Sequence, residues 1–312
     1  MMRLRRLMPV VALTFAAVDH AGAQQTHLLL VTGLSGEPQY RTAFHSAAAE
    51  LYDVAKTKWG VAAASLIYLS EDQAIDGTRI TGRSSREEVE RAFLALGQRA
   101  APGDIVFVFL LGHGSGEGAA SAVNLPGRDP TAAEYASWLS GFGRQTVVFV
   151  NASSASGDFV RALAGPGRVV VTATRTAMER NESVFAKYFT RGFASGEADA
   201  DKDERVSVFE AFDFARKEVV RAYETEKKLI TEHAALSDTA LATTTVFGGS
   251  PASADPRVAT LVAERRVLED SLTALRARKD STDPAAYERE LERLLVAIAE
   301  KSQAIRALGG RE

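Results

Sequence analysis

The chain alternates short, wholly apolar runs with longer segments whose apolar positions recur at helical spacing. Five runs read as strands: His27 to Val31, Ala64 to Leu69, Asp104 to Leu111, Gln145 to Val150 and Arg168 to Val171. The third, DIVFVFLL, is apolar after its aspartate, as a central parallel strand buried on both faces should be. Between the runs, Tyr40 to Trp59 sets Phe44, Ala48, Leu51 and Val54 on one helical face. Further helices are expected from Ser85, whose partner Glu88 makes a capping box, over Tyr135 to Leu139, over Gly157 to Leu163, and over Val206 to Tyr223. Strands alternating with helices predict right-handed crossovers and an α/β fold, a mainly parallel sheet flanked by helices over residues 24–240.

The tail has a different pattern. Residues 241–256, ending in PASADP, read as a linker. Beyond it, Val258, Leu261, Leu268, Leu272 and Leu275 follow a heptad seam interrupted by Arg265. Tyr287, Leu291, Leu294, Ile298 and Ile305 follow a second. With the Asp280-to-Pro284 turn between them, residues 257–308 are expected to form a C-terminal antiparallel helical hairpin, coiled-coil-like in packing. Its charged remainder is most simply a solvated face, and the hairpin is free to pack on the main domain or to self-associate with another copy.

Composition narrows the function. The 312 residues carry 37 Lys+Arg against 40 Asp+Glu, so no concentrated basic charge argues for a nucleic-acid partner. There is no cysteine, which excludes disulfides, thiolate zinc sites and a thiol nucleophile. Residues 1–23 read as a signal peptide: Arg3, Arg5 and Arg6 precede the apolar run Leu7 to Val18, and Ala21-Gly22-Ala23 offers a cleavage site after Ala23. That run is shorter than the roughly 20 residues a membrane span needs, and no later stretch reaches that length. The expected product is therefore secreted or periplasmic, with no membrane span in the mature chain.

In doubly wound sheets, ligands sit beyond the carboxyl ends of the strands. Gly112-His113-Gly114-Ser115-Gly116 follows the third strand, and Asn151-Ala152-Ser153-Ser154-Ala155-Ser156-Gly157 follows the fourth. An apolar strand with His-Gly, then a second with a small-residue segment ending in Ser-Gly, resembles the caspase-like cysteine peptidases, closest to their legumain-like and bacterial branch. FAKYFTRGF over Phe185 to Phe193 and the acidic segment after it also look like this family, and the resemblance spans about residues 26–238. It implies a caspase-like sheet with His113 as the base and the nucleophile in the second loop. Counting from the strand puts Ser153 at the nucleophile position; counting back from Ser156-Gly157 puts Ser154 there. Asn151 stands where the motif often opens with an acid. Gly114, Asn151 and Arg175 would belong to the substrate-binding surface, Arg175 either contacting a carboxylate or pairing with Glu179.

A hydroxyl is a far weaker nucleophile than a thiolate and needs an aligned base, and no third, orienting group is identifiable from the sequence. The expectation is an exported pseudo-peptidase that binds a peptide or protein partner at a degenerate site and needs no cofactor. The alternatives are a serine-type hydrolase using Ser153 or Ser154 with His113, and a structural envelope protein assembled through the hairpin. Ser156, directly before a helix, reads as its N-cap.

Asp199, Asp201, Asp203 and Glu210 occupy positions 1, 3, 5 and 12 of a calcium-loop pattern, with Ser207 at position 9. Glu204 takes position 6, where glycine is expected. The spacing allows calcium; the simpler reading, narrowly preferred, is an acidic helix N-terminus. Thr231-Glu232-His233 lacks metal spacing and reads as surface.

Overall fold

The computed structural model describes residues 24–248, 256–279 and 283–308. The expected leader over 1–23 lies outside the described residues. In chain order the elements begin with β1 (Thr26–Thr32), α1 (Pro38–Thr57), β2 (Leu66–Ser70), β3 (Gly82–Arg83), α2 (Arg86–Arg99) and β4 (Ile105–Leu111). A small hairpin of β5 (Gly114–Ser115) and β6 (Ala122–Val123) follows, then α3 (Ala132–Leu139), β7 (Thr146–Asn151), α4 (Asp158–Leu163) and β8 (Arg168–Thr172). The rest comprises α5 (Phe185–Ser195), α6 (Val208–Thr225), β9 (Ala235–Leu236), α7 (Thr239–Thr244), α8 (Pro256–Ala277) and α9 (Pro284–Ala307).

One seven-stranded sheet runs in the order β3-β2-β1-β4-β7-β8-β9. Its strands are parallel except β9, which pairs antiparallel with β8. Every residue of β1 and β4 is buried, which is why these segments carry no polar alternation. Successive side chains still point to opposite faces. Leu28, Leu30, Phe107 and Phe109 pack against α1, α5 and α6 through Leu51, Phe189 and Ala215. Leu29, Val31, Val106 and Val108 pack against α2, α3 and α4 through Phe93, Tyr135 and Phe159. Each such large side chain contributes roughly 1.5–3 kcal/mol on burial.

The chain winds outward from β1 to β2 and β3, then returns to the other side of β1 as β4 and continues outward through β7 and β8. The connections leaving β1 and β4 therefore diverge, the place in an open α/β sheet where ligands are commonly held. His113 follows β4 at this switch point.

Several boundaries differ from the sequence expectation, each for a local reason. The two edge strands β3 and β9 are two residues long, too short to show a pattern. The second strand starts at Leu66 because Ala63–Ser65 form a 3-10 turn. The Ser85 capping box is half formed: Ser85 Oγ accepts from Glu88 N at 3.4 Å, while the Glu88 carboxylate pairs with Arg91. A complete box sits at α3, which starts three residues earlier than expected because Thr131 and Glu134 cap each other. The stretch read as a linker contributes α7, and Phe247 is buried, stacked on Phe107 at 4.4 Å. The compact domain therefore runs past residue 240, while 249–255 lie outside the described residues.

The expected hairpin is present. Leu272, Leu275 and Leu294 form its cluster, with Leu268, Tyr287, Leu291 and Ile298 packed against it. Lys301 on α9 pairs with Glu264 on α8 at 2.6 Å, which sets the two helices antiparallel.

Glu134 carries a load beyond its cap. It accepts from Thr131 N at 3.0 Å and Arg86 Nε at 2.8 Å, and pairs with Arg128. Burial pushes its carboxyl up, but these donors outweigh burial and hold its pKa at about 2. A carboxylate lowered from about 4.5 to about 2 stabilises the fold above its unfolded-state pKa, and that stabilisation is lost as pH falls through the window. E134Q should cost about 1 kcal/mol at neutral pH and flatten the acid limb of stability between those values, read by denaturant unfolding across pH.

Candidate functional site

Four loops meet at the carboxyl edge, after β1, β4, β7 and β8, and their main chains touch. A Cβ on Gly33 would stand 2.4 Å from the Asn124 carbonyl oxygen. On Gly114 it would stand 2.2 Å from the Ser154 carbonyl oxygen, and on Gly157 2.2 Å from the Arg175 carbonyl carbon. No side chain fits at any of these distances, so glycine is required there by close approach.

Hydrogen bonds complete the frame. Leu34 N donates to Asn124 O at 2.9 Å, and Asn124 N to His113 O at 2.9 Å. Ser35 donates from Oγ to Glu71 Oε1 at 2.5 Å and from its backbone N to Glu71 Oε2 at 3.3 Å. Glu71, just beyond β2, thereby anchors the loop after β1.

This loop orients His113. The ring nitrogen Nε2 lies 3.2 Å from the Ser35 carbonyl, and a carbonyl only accepts, so Nε2 carries a hydrogen; in the neutral ring the lone pair is then on Nδ1. Tyr40 and Phe44 meet the ring edge-on at 5.1 and 5.4 Å. The orienting group absent from the sequence reading is thus a main-chain carbonyl, which no residue type announces.

Both candidate serines are buried, Ser153 at 0% and Ser154 at 3% exposure. Ser153 Oγ donates to Asn151 Oδ1 at 2.6 Å, and Ser153 N donates to the same oxygen at 3.1 Å. Ser154 Oγ accepts from Gly114 N at 3.3 Å. Neither hydroxyl is hydrogen-bonded to His113. Asn151 is fully buried and its Nδ2 has no partner. Ala155 turns the loop at φ +53°, a costly conformation for a residue with a Cβ.

Ser156 does not cap α4. Its Oγ accepts from Thr174 N at 3.2 Å and bonds Thr174 Oγ1 at 3.2 Å, tying the loop after β7 to the one after β8; Gly157 holds the N-cap position. Arg175 forms no salt bridge with Glu179. Its backbone N donates to Glu179 Oε2 at 2.9 Å, and Glu179 Oε1 lies 2.8 Å from His233 Nδ1. Glu232, read as surface, is 2% exposed. It accepts from Ser183 Oγ, Val184 N and Phe185 N at 2.5, 2.9 and 3.3 Å, capping α5 from outside the helix. Burial pushes its carboxyl up against these donors.

Glu182 is a site neighbour that sequence reasoning missed. Burial raises its carboxyl above the ordinary glutamate range, opposed by a hydrogen bond from Tyr40 and by the charge of His113.

The acidic loop lies apart from these residues, between α5 and α6. Carboxylate oxygens of Asp199, Asp201 and Asp203 gather within 4.8 Å of one another. Burial, then the neighbouring carboxylates, push Asp201 and Asp203 up. Glu204 adopts φ +67° at the position where glycine was expected. Glu210 is committed to donors: Oε1 accepts from Ala200 N at 2.9 Å, and Oε2 from Ser207 N and Oγ, each at 2.8 Å. A bidentate calcium ligand would have to leave them.

No protein-family model matches the chain, and no curated protein matches it. Among solved structures, protein GSU0716 from Geobacter sulfurreducens aligns at 13% identity with a TM-score of 0.45, covering 75% of this chain and 96% of that one.

Two substitutions test this geometry. G114A should destabilise by about 1–3 kcal/mol, because the added methyl displaces the Ser154 main chain. G77A, whose Cβ meets nothing within 4 Å, should change stability by less than about 0.5 kcal/mol in the same denaturant titration. E210Q should cost about 1 kcal/mol equally in calcium and in chelator, as loss of a cap does; a cost seen only in calcium would assign the carboxylate to the ion.

Proposed function

We propose that the chain binds an extended peptide segment across the strand ends beside His113 without hydrolysing it, as a non-catalytic relative of the caspase-like peptidases. The observation that carries this reading is the buried Ser153 hydroxyl, whose hydrogen is given to Asn151 Oδ1 at 2.6 Å. A hydroxyl becomes a nucleophile when a base about 2.6–3.2 Å away, or one water removed, takes its proton, and the Ser153 hydrogen bond points elsewhere. What remains is the strand-end surface at the switch between β1 and β4, where Tyr40 and Phe44 flank His113. Loop main chain surrounds it, as suits the binding of an extended backbone.

One observation favours the hydrolase alternative. The Ser35 carbonyl leaves the lone pair of His113 on Nδ1, the arrangement a general base needs. A single experiment separates the two readings. The purified protein is incubated with a diverse pool of unstructured peptides; captured peptides and new termini are both identified by mass spectrometry. Captured peptides, no new termini, and about tenfold weaker capture by H113A are expected. New termini that vanish in both H113A and S153A would replace the binding reading with a serine hydrolase. No capture and no cleavage would remove both.

A further inference from the structure

We propose that the outer face of α9 is a self-complementary surface on which a second copy of this chain docks antiparallel. This inference is independent of the strand-end site. The two helices of the hairpin satisfy each other along one side only: Lys301 pairs with Glu264, and Leu294 packs with Leu272 and Leu275. On the other side, Arg289, Glu292, Arg293, Val296, Ala297 and Glu300 line a shallow concave strip. Val296 is 51% exposed and lies beside Ala297, so apolar area lies open in the middle of the strip.

The charges are arranged to be answered by a copy of themselves. Arg293 is satisfied within its own helix by Glu290 at 2.6 Å. Arg289, Glu292 and Glu300 have no ion pair among the described residues. Arg289 and Glu300 lie three turns apart, roughly 16 Å along the axis, on one stripe. A two-fold axis passing between Leu294 and Leu295 sets Arg289 of each copy against Glu300 of the other, twice over, which is the isologous pattern of a cyclic dimer. The same axis lays Val296 against the aliphatic stem of the copy's Arg293, a contact long basic side chains make readily, and Glu292 beside Ala297. The two α9 helices then pack face to face, each with its own α8 on the far side.

Three turns of paired helix bury less than the roughly 1,600 Å² of a standard interface. The dimer is therefore concentration-dependent, and salt weakens it because its charge pairs lie at the rim. Sedimentation velocity on the purified protein, up to high micromolar concentration and at low and high salt, reads the association. R289E and E300R should each weaken it by about tenfold or more, since each leaves two like charges facing. The double variant R289E/E300R should restore it by exchanging the partners. Circular dichroism on each variant confirms that the helices remain. A protein that is monomeric at the highest concentration overturns the proposal. So does a dimer indifferent to R289E and E300R, or one that the double variant fails to restore.

Discussion

Where the strands end, main chain lies against main chain, and the identity of the residues at those contacts decides whether the loops fit. Gly33 against Asn124, Gly114 against Ser154 and Gly157 against Arg175 are approaches of a kind that any side chain would force apart. They join the loop after β1 to the hairpin after β4, that hairpin to the loop after β7, and that loop to the one after β8. His113 and Ser153 owe their positions to this chain of contacts more than to any interaction of their own. The imidazole is turned by a carbonyl that belongs to the first loop, and the hydroxyl is held by the amide that closes the third strand-end turn.

The frame rests in turn on the sheet. β1 and β4 are buried on both faces, and their side chains interlock with helices above and below. The strand ends are therefore fixed by close packing, and the divergent connections after β1 and β4 place His113 at the topological switch. Within that frame the chemistry is muted. Neither serine hydroxyl is hydrogen-bonded to His113: Ser153 Oγ donates to Asn151 Oδ1, and Ser154 Oγ accepts from Gly114 N. Glu182 lies near Tyr40 and His113, and burial raises its carboxyl. The arrangement lacks a hydrogen-bonded nucleophile and base, which is the ground for proposing binding over hydrolysis.

Much of this was legible in the sequence. Five strands declared themselves as apolar runs, because buried parallel strands leave no other pattern, and the hairpin declared itself by its two heptad seams. The motif after each strand led to His113, Ser153 and Asn151, and all three lie at the carboxyl edge. What escaped notice has a common physical cause. The Ser35 carbonyl, the Glu71 anchor and the remote Glu232 cap act through main chain or across long sequence separations, so residue type and spacing carry no trace of them. Ser156 was read by local rule as a helix cap, and a tertiary bond to Thr174 took its hydroxyl instead. The two-residue edge strands are made by their neighbours and not by their own composition.

The central claim is that the serine hydroxyls are held away from the base. It is tested most directly with a fluorophosphonate, which labels a hydroxyl only where a neighbouring base activates it. Intact-mass spectrometry after prolonged exposure of the folded protein should show no adduct. An adduct on Ser153 or Ser154 that disappears in H113A would show an activated nucleophile and contradict the account.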